Sequence, residues 1–257
     1  MNKTIYVFAG KANAGKDTAA SMACYIARVG TTRANYKDWE SFYKPEVVKD
    51  DSPIKPYIFH FADSLKDSLS IIFGIDRKLL DNREYKDNKY YCMSTNSFID
   101  KNVVDKRYFI VVDINDFYEK DLNDIINETL PSGRVPIFTL RTLMQYFGTD
   151  LCRKRLFNTV WIRSTLSAIS SKLDMAVINK FVAIADCRFD EEIRAIRRLS
   201  VHSKIIYIDR PNKQQEFNHS SNGQILEPID NVIKNDGTLM KLFFTILQIM
   251  TEDKERL

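Results

Sequence analysis

Long apolar runs are missing from this sequence. No stretch approaches the length of a membrane-spanning helix, and no membrane partner is expected. Histidine is scarce, and His60, His202 and His219 stand at no metal-ligand spacing. Cys24, Cys92, Cys152 and Cys187 are widely scattered, with no C-x-x-C pair. That argues against a zinc site and for free thiols in a reducing cytoplasm. No signal-peptide pattern precedes the first strand-like run. There is no internal repeat and no low-complexity tail. Charge of one sign is also lacking: a net +4 over 257 residues suits anionic ligands but is far from a dedicated nucleic-acid binder.

What is present fits a soluble enzyme. A hydrophobic fraction of 44% and a charged fraction of 28% are ordinary for a globular chain. The length allows one large α/β domain, with or without a sizeable insertion. The first apolar run, Ile5-Tyr6-Val7-Phe8-Ala9, leads into Gly10-Lys11-Ala12-Asn13-Ala14-Gly15-Lys16-Asp17-Thr18, and a helical pattern follows. Strand, G-x-x-x-x-G-K and helix make a P-loop in its working context. Backbone N–H groups from Gly10, Ala12, Asn13, Ala14 and Gly15 can turn inward as an anion nest at a helix N-terminus. Lys16 can reach the β- and γ-phosphates. The next residue is Asp17, where the common pattern has Ser or Thr on Mg²⁺. Either Asp17 holds the metal or Thr18 is drawn in.

Strand-like runs recur at 5–9, 57–61, 181–185, 204–208 and 231–234. Helical patterns lie near 17–28, 64–73, 140–147, 159–172, 189–199 and 238–250. This alternation predicts an α/β fold, a parallel sheet covered by helices on both faces. Ligands then bind at the carboxyl ends of the strands, where Gly10, Asp63 and Asp186 are expected. Residues 31–56 are polar and proline-bearing. Residues 76–135 are read as an inserted subdomain within a single 1–257 domain, with a hairpin and a short helix around 116–129. A mobile loop is expected at 211–225.

Three further clusters carry chemistry. In Phe61-Ala62-Asp63-Ser64-Leu65-Lys66, Asp63 or Ser64 is expected to cap a helix with Leu65, Leu69 and Ile72-Phe73 buried, and Lys66 either points at a phosphate or is solvated. In Leu140-Arg141-Thr142-Leu143-Met144-Gln145-Tyr146-Phe147-Gly148-Thr149-Asp150, Arg141 and Gln145 share one face. The arginine fork suits phosphate and the glutamine amide suits a base edge. Gly148-Thr149 is expected to end that helix, and Trp161 offers a stacking plane or core bulk. In Ala185-Asp186-Cys187-Arg188-Phe189-Asp190-Glu191-Glu192, Asp186 can orient metal or acceptor and Arg188 can neutralise a transferring phosphoryl group. The same cluster reads equally as a salt-bridge network at a helix start.

The ordered set GKDT (15–18), FADSLKDSL (61–69), LRTLMQYFGTD (140–150) with Trp161, ADCRFDEE (185–192), RP (210–211) and IKNDGTL (233–239) resembles the deoxynucleoside monophosphate kinases of tailed phages and related viruses. The resemblance implies an adenylate-kinase-like P-loop fold and transfer of the γ-phosphoryl group of ATP, with Mg²⁺, to a dNMP. It implies Lys16 on the donor phosphates. Lys66, Arg83, Arg141, Gln145, Gly148, Thr149, Trp161, Asp186, Arg188 and Glu192 then serve the acceptor. Lys16, Arg141, Asp186 and Arg188 act in catalysis. A viral chain would work in the host cytoplasm, and a homodimer is compatible with the resemblance. One departure is His219-Ser220-Ser221-Asn222, where the family tends to His-x-Ser-Glu. The competing readings are a kinase of the dephospho-coenzyme A or phosphomevalonate type and a catalytically silent P-loop protein that acts through partners.

Overall fold

The computed structural model describes residues 3–45, 52–175, 180–211 and 225–256. Most of the loop expected at 211–225, including His219, lies outside them. In chain order the elements open with β1 (Thr4–Ala9), α1 (Lys16–Val29), α2 (Tyr36–Phe42), β2 (Ile58–Phe59) and α3 (Asp63–Phe73). They continue with α4 (Arg83–Asn88), β3 (Lys89–Cys92), β4 (Ser97–Asp100), β5 (Phe109–Val111), α5 (Asp116–Glu119), α6 (Leu122–Thr129) and β6 (Val135–Thr139). Next come α7 (Leu140–Gln145), a π-helical stretch (Tyr146–Leu156) and α8 (Val160–Met175). β7 (Phe181–Cys187), α9 (Asp190–Arg197), β8 (His202–Asp209), β9 (Asn231–Lys234) and α10 (Leu239–Arg256) complete the chain. These elements form two compact units, Met1–Phe61 with Ile162–Leu257, and Ala62–Trp161.

The first unit is built on a parallel sheet in the order β2-β7-β1-β8-β9. Alternation along β1 separates two cores. Tyr6 and Phe8 face α1 and α10, with Ala19, Ala23, Phe243 and Ile246. Ile5, Val7 and Ala9 face α8 and α9, with Ile169, Leu173, Ile193 and Ile196. Helices therefore cover both faces of the sheet, as a P-loop kinase-like α/β fold requires. α10 supplies its stripe at Leu242, Phe243, Ile246, Ile249 and Met250, the spacing of a buried helix face. β2 is shorter than its sequence predicts, because only Ile58 and Phe59 pair with β7. Asp63 thus does not stand at a strand tip; His60 does.

The segment 31–56 contains α2, which was not predicted. Asn35 caps it, its side chain accepting from the Lys37 N–H at 2.9 Å. Trp39 is wholly buried, and its indole N–H donates to Ser21 Oγ at 3.0 Å. One buried ring per short helix leaves too weak a periodic pattern to detect.

The second unit holds a mixed sheet in the order β4-β3-β6-β5, with β3 antiparallel to β4 and β6, and β5 parallel to β6. Its core gathers Leu65, Leu69, Leu80, Phe138, Leu140 and Leu143. The stretch 76–135 contributes the β3–β4 hairpin, β5, α5 and α6 to this unit, which begins at Ala62 and runs to Trp161. Three local expectations are corrected. α3 has no side-chain cap, since Ala62 occupies the N-cap position. Ile72 is exposed rather than part of the buried stripe, because Phe73, four residues after Leu69, continues that face against the core. The helix does not end at Gly148-Thr149 but widens into the π-helical stretch and runs to Leu156.

Candidate active site

In the first unit the loop between β1 and α1 folds back over the carboxyl ends of the strands. Gly10 and Gly15 have φ of 139° and 101°, and Asn13 has φ of 60°. A Cβ on Gly10 would lie 2.5 Å from the Ile208 carbonyl oxygen of β8, so only glycine lets the loop approach that strand. Lys16 opens α1 and is 5% exposed. Its ammonium donates to the carbonyls of Gly10 at 2.8 Å and Lys11 at 2.6 Å. Burial lowers its pKa to about 8, the Arg188 guanidinium adds to this, and Asp17, Asp186 and Cys187 pull the other way. Asp17, Asp186 and Arg188 are therefore within electrostatic reach of Lys16.

Two carboxylates lie within the field of Lys16. Asp186, next to last in β7, accepts from the Phe61 N–H at 2.8 Å. Asp17, mostly exposed, meets His60 Nε2 at 2.8 Å. Among the described residues no three His, Cys, Asp or Glu side chains converge as a metal site. Magnesium needs no such cage, since it is held by one or two carboxylates together with phosphate oxygens and water. Asp17 and Asp186 supply hard oxygen donors of that kind, so the donor set fits. Thr18 is half-buried in the first turn of α1.

Glu192, expected beside the substrate, is 2% exposed. Its Oε2 accepts from the N–H groups of Arg188 at 2.8 Å and Phe189 at 3.1 Å, which fixes the start of α9. Arg194 pairs with Glu191 and Glu227, and Arg197 pairs with Asp230, so these arginines form a salt-bridged helix face. Two further side chains touch the loop. Asn235 Nδ2 donates to the Ala14 carbonyl at 2.8 Å, and Arg210 Nη1 lies 3.5 Å from the Asn13 carbonyl. His60 and Asn235 escaped the sequence reading of the site. Their signal was position, each directly after a strand of the parallel sheet.

The second unit gathers a different set. Arg141, in the first turn of α7, forms a fork on Asp87, Nε to Oδ1 at 2.6 Å and Nη2 to Oδ2 at 3.1 Å. That fork holds the Asp87 carboxyl below its ordinary pKa against the burial that would raise it, and Lys86 and Arg83 add to the effect. Lys66 is not solvated: it is 13% exposed and donates to Asp81 at 2.8 Å. Lys86 has its pKa lowered by burial first and then by the fields of Lys66 and Arg141. Lys66, Lys86, Arg83 and Arg141 thus share one cationic neighbourhood with Asp81 and Asp87. Lys86 was not predicted, although it lies three residues after Arg83 on α4, on one helix face with it.

Gln145, half-buried, closes α7 on the same helix as Arg141. Trp161 is buried, and its indole N–H donates to the Gly148 carbonyl at 3.0 Å. The ring therefore anchors the π-helical stretch that also carries Thr149. In this unit the structure brings Lys66, Arg83 and Arg141 into one charge cluster, and Gly148 and Trp161 into direct contact.

A family model described as Deoxynucleotide monophosphate kinase matches residues 125–246. Over that stretch, a little under half of the chain, the sequence is similar to the deoxynucleotide monophosphate kinase family. A search of curated proteins gives no match. The matched stretch contains Arg141, Gln145, Gly148, Thr149, Trp161, Asp186, Arg188 and Glu192. The loop 10–18, Lys66 and Arg83 precede it and stand on their own geometry. A kinase of this family is a phosphotransferase acting on small molecules. No helix among the described residues is long and apolar enough to cross a membrane.

Proposed function

We propose that this chain transfers the γ-phosphoryl group of ATP to a deoxynucleoside monophosphate, giving a dNDP and ADP. The observation that carries the reading is the buried Lys16 ammonium beneath a glycine-hinged loop, flanked by Arg188, Asp17 and Asp186. A lysine shielded in this way has its protons directed at oxygen atoms of the loop, and phosphate oxygens are the natural replacement.

In the transfer, a phosphate oxygen of the dNMP attacks the γ-phosphorus. The bond from that phosphorus to the β-bridging oxygen breaks, and ADP leaves with the electron pair. Such chemistry needs positioning and charge neutralisation more than covalent help. Gly10, Ala12, Asn13, Ala14, Gly15 and Lys16 bind the donor phosphates, with Asp17 and Thr18 beside them. Asp17 and Asp186 would hold Mg²⁺, which neutralises phosphate charge when bound. Arg188 meets the charge that builds on the transferring group. Lys66, Arg83 and Arg141 bind the acceptor phosphate, exchanging the carboxylates of Asp81 and Asp87 for phosphate oxygens. Gln145, with Gly148, Thr149 and Trp161 shaping the helix that bears it, reads the base edge. Four free, buried cysteines suit a reducing cytoplasm.

Coupled ADP-release assays over dNMPs, NMPs and coenzyme A precursors test the proposal. ADP release that depends on a dNMP is the predicted result. Release driven only by a coenzyme A precursor, or by no acceptor at all, contradicts it.

A further inference from the structure

We infer that Asn235 is a positioning residue that presets the phosphate-binding loop. The inference rests on the reading of that loop as the donor site. Asn235 directly follows β9 and is itself fixed to the sheet, its backbone N–H donating to the Asp209 carbonyl of β8 at 2.6 Å. From this anchored position its side-chain amide donates to the Ala14 carbonyl at 2.8 Å. A trans peptide is planar, with its C=O and N–H pointing in opposite directions. Holding the Ala14 carbonyl toward Asn235 therefore aims the Gly15 N–H away from it. Gly15, with φ of 101°, is the last residue before Lys16.

The two positions are sterically matched. A Cβ on Gly15 would lie 2.7 Å from Asn235 Nδ2, so the amide fills the place of any side chain there. Arg210, one residue past the end of β8, reaches toward the preceding carbonyl, that of Asn13, at 3.5 Å. Two successive loop carbonyls are thus drawn toward the ends of β8 and β9. An anion nest works when its N–H groups need no reorganisation on binding. Asn235 supplies part of that order through the Ala14 carbonyl.

The test compares Asn235→Ala and Asn235→Asp with the wild-type full-length chain. It measures Mg·ATP affinity by calorimetry, KM for ATP and for the dNMP separately, and the urea midpoint. Loss of one hydrogen bond predicts ATP binding weakened about tenfold in Asn235→Ala, with KM for the dNMP unchanged. Asn235→Asp puts a carboxylate against a carbonyl and near the triphosphate, so it should bind ATP more weakly still. Where either variant fails to fold, Asn235→Ser serves, with the same expected split. In a Gly15→Ala background, where the added Cβ already displaces the amide, Asn235→Ala should cost little more; full additivity counts against the coupling. Wild-type ATP affinity in Asn235→Ala overturns the inference, as does equal weakening of ATP and dNMP with a fallen urea midpoint. A wild-type chain that binds no ATP overturns the donor-site reading instead.

Discussion

Lys16 carries a positive charge into a buried place, and its lowered pKa means that the fold disfavours that charge. Such a residue contributes little to stability, which agrees with the donor-phosphate role proposed for it. Lys16→Ala should lower kcat/KM by about 10²–10³-fold, the usual loss for a preorganised charge donor. Its urea midpoint should hold or rise; near wild-type turnover would remove the P-loop assignment. On the acceptor side, Arg141→Ala should weaken every dNMP to a similar degree, since phosphate is common to all of them. Gln145→Ala should instead change their ranking by roughly 1–3 kcal/mol, because truncating a base-edge partner leaves different bases differently unpaired. Steady-state KM values over the dNMPs check both, and a uniform loss in Gln145→Ala returns that residue to a structural role. Lys16 was legible because its spacing from Gly10 has a mechanical meaning. Lys86 and Asn235 were not, because the partners that give them meaning are remote in sequence or reached through a turn.

Among the elements, α10 packs with α1 on one face of the first unit's sheet. Phe243 is wholly buried and meets Tyr25, Trp39 and Tyr36 at ring-centroid distances of 6.2, 6.2 and 5.7 Å. Phe243→Ala should cost about 3–5 kcal/mol, read from the urea midpoint, since α1 and α2 cannot both close on the gap. The far end of α10 is tied differently. Asp253, 6% exposed, accepts from Tyr6 Oη at 2.7 Å and Lys204 Nζ at 2.9 Å, and pairs with His202 Nε2 at 2.8 Å. Asp253→Asn leaves Lys204 without its charge partner and should cost about 3 kcal/mol, the lower end for breaking a buried pair. The helices and strands of the parallel sheet were readable from periodicity, because long elements repeat their pattern. β6 was missed for a physical reason: Pro136 sits in a central strand, which the loss of an N–H normally forbids. The π-helical stretch was missed because Gly148-Thr149 reads as a helix end, and a widened turn has no periodic signature of its own.

For the molecule as a whole, Asp253 sets an acid limit. Burial would raise its pKa, but the hydrogen bonds from Tyr6, Lys204 and His202 outweigh burial and the net shift is downward. A carboxylate whose folded pKa lies below its unfolded value of about 3.9 stabilises the fold above that value. This contribution is lost as pH falls through the folded pKa. The wild type should therefore lose stability below about pH 4, and Asp253→Asn should lose less over the same range, measured by urea unfolding at stepped pH. The α/β class and the motif order were visible at this scale, whereas the division at Ala62 and Trp161 was not: it depends on which strands pair, and short strands such as β3 and β4 carry little pattern. The central claim is phosphoryl transfer from ATP to a dNMP, and the most direct measurement follows the group itself. A single-turnover reaction with ATP radiolabelled at the γ-phosphate, Mg²⁺ and one dNMP at a time, resolved by chromatography, should place the label at the β-position of the dNDP. Label recovered only as inorganic phosphate, or left on ATP with every dNMP, would contradict the account.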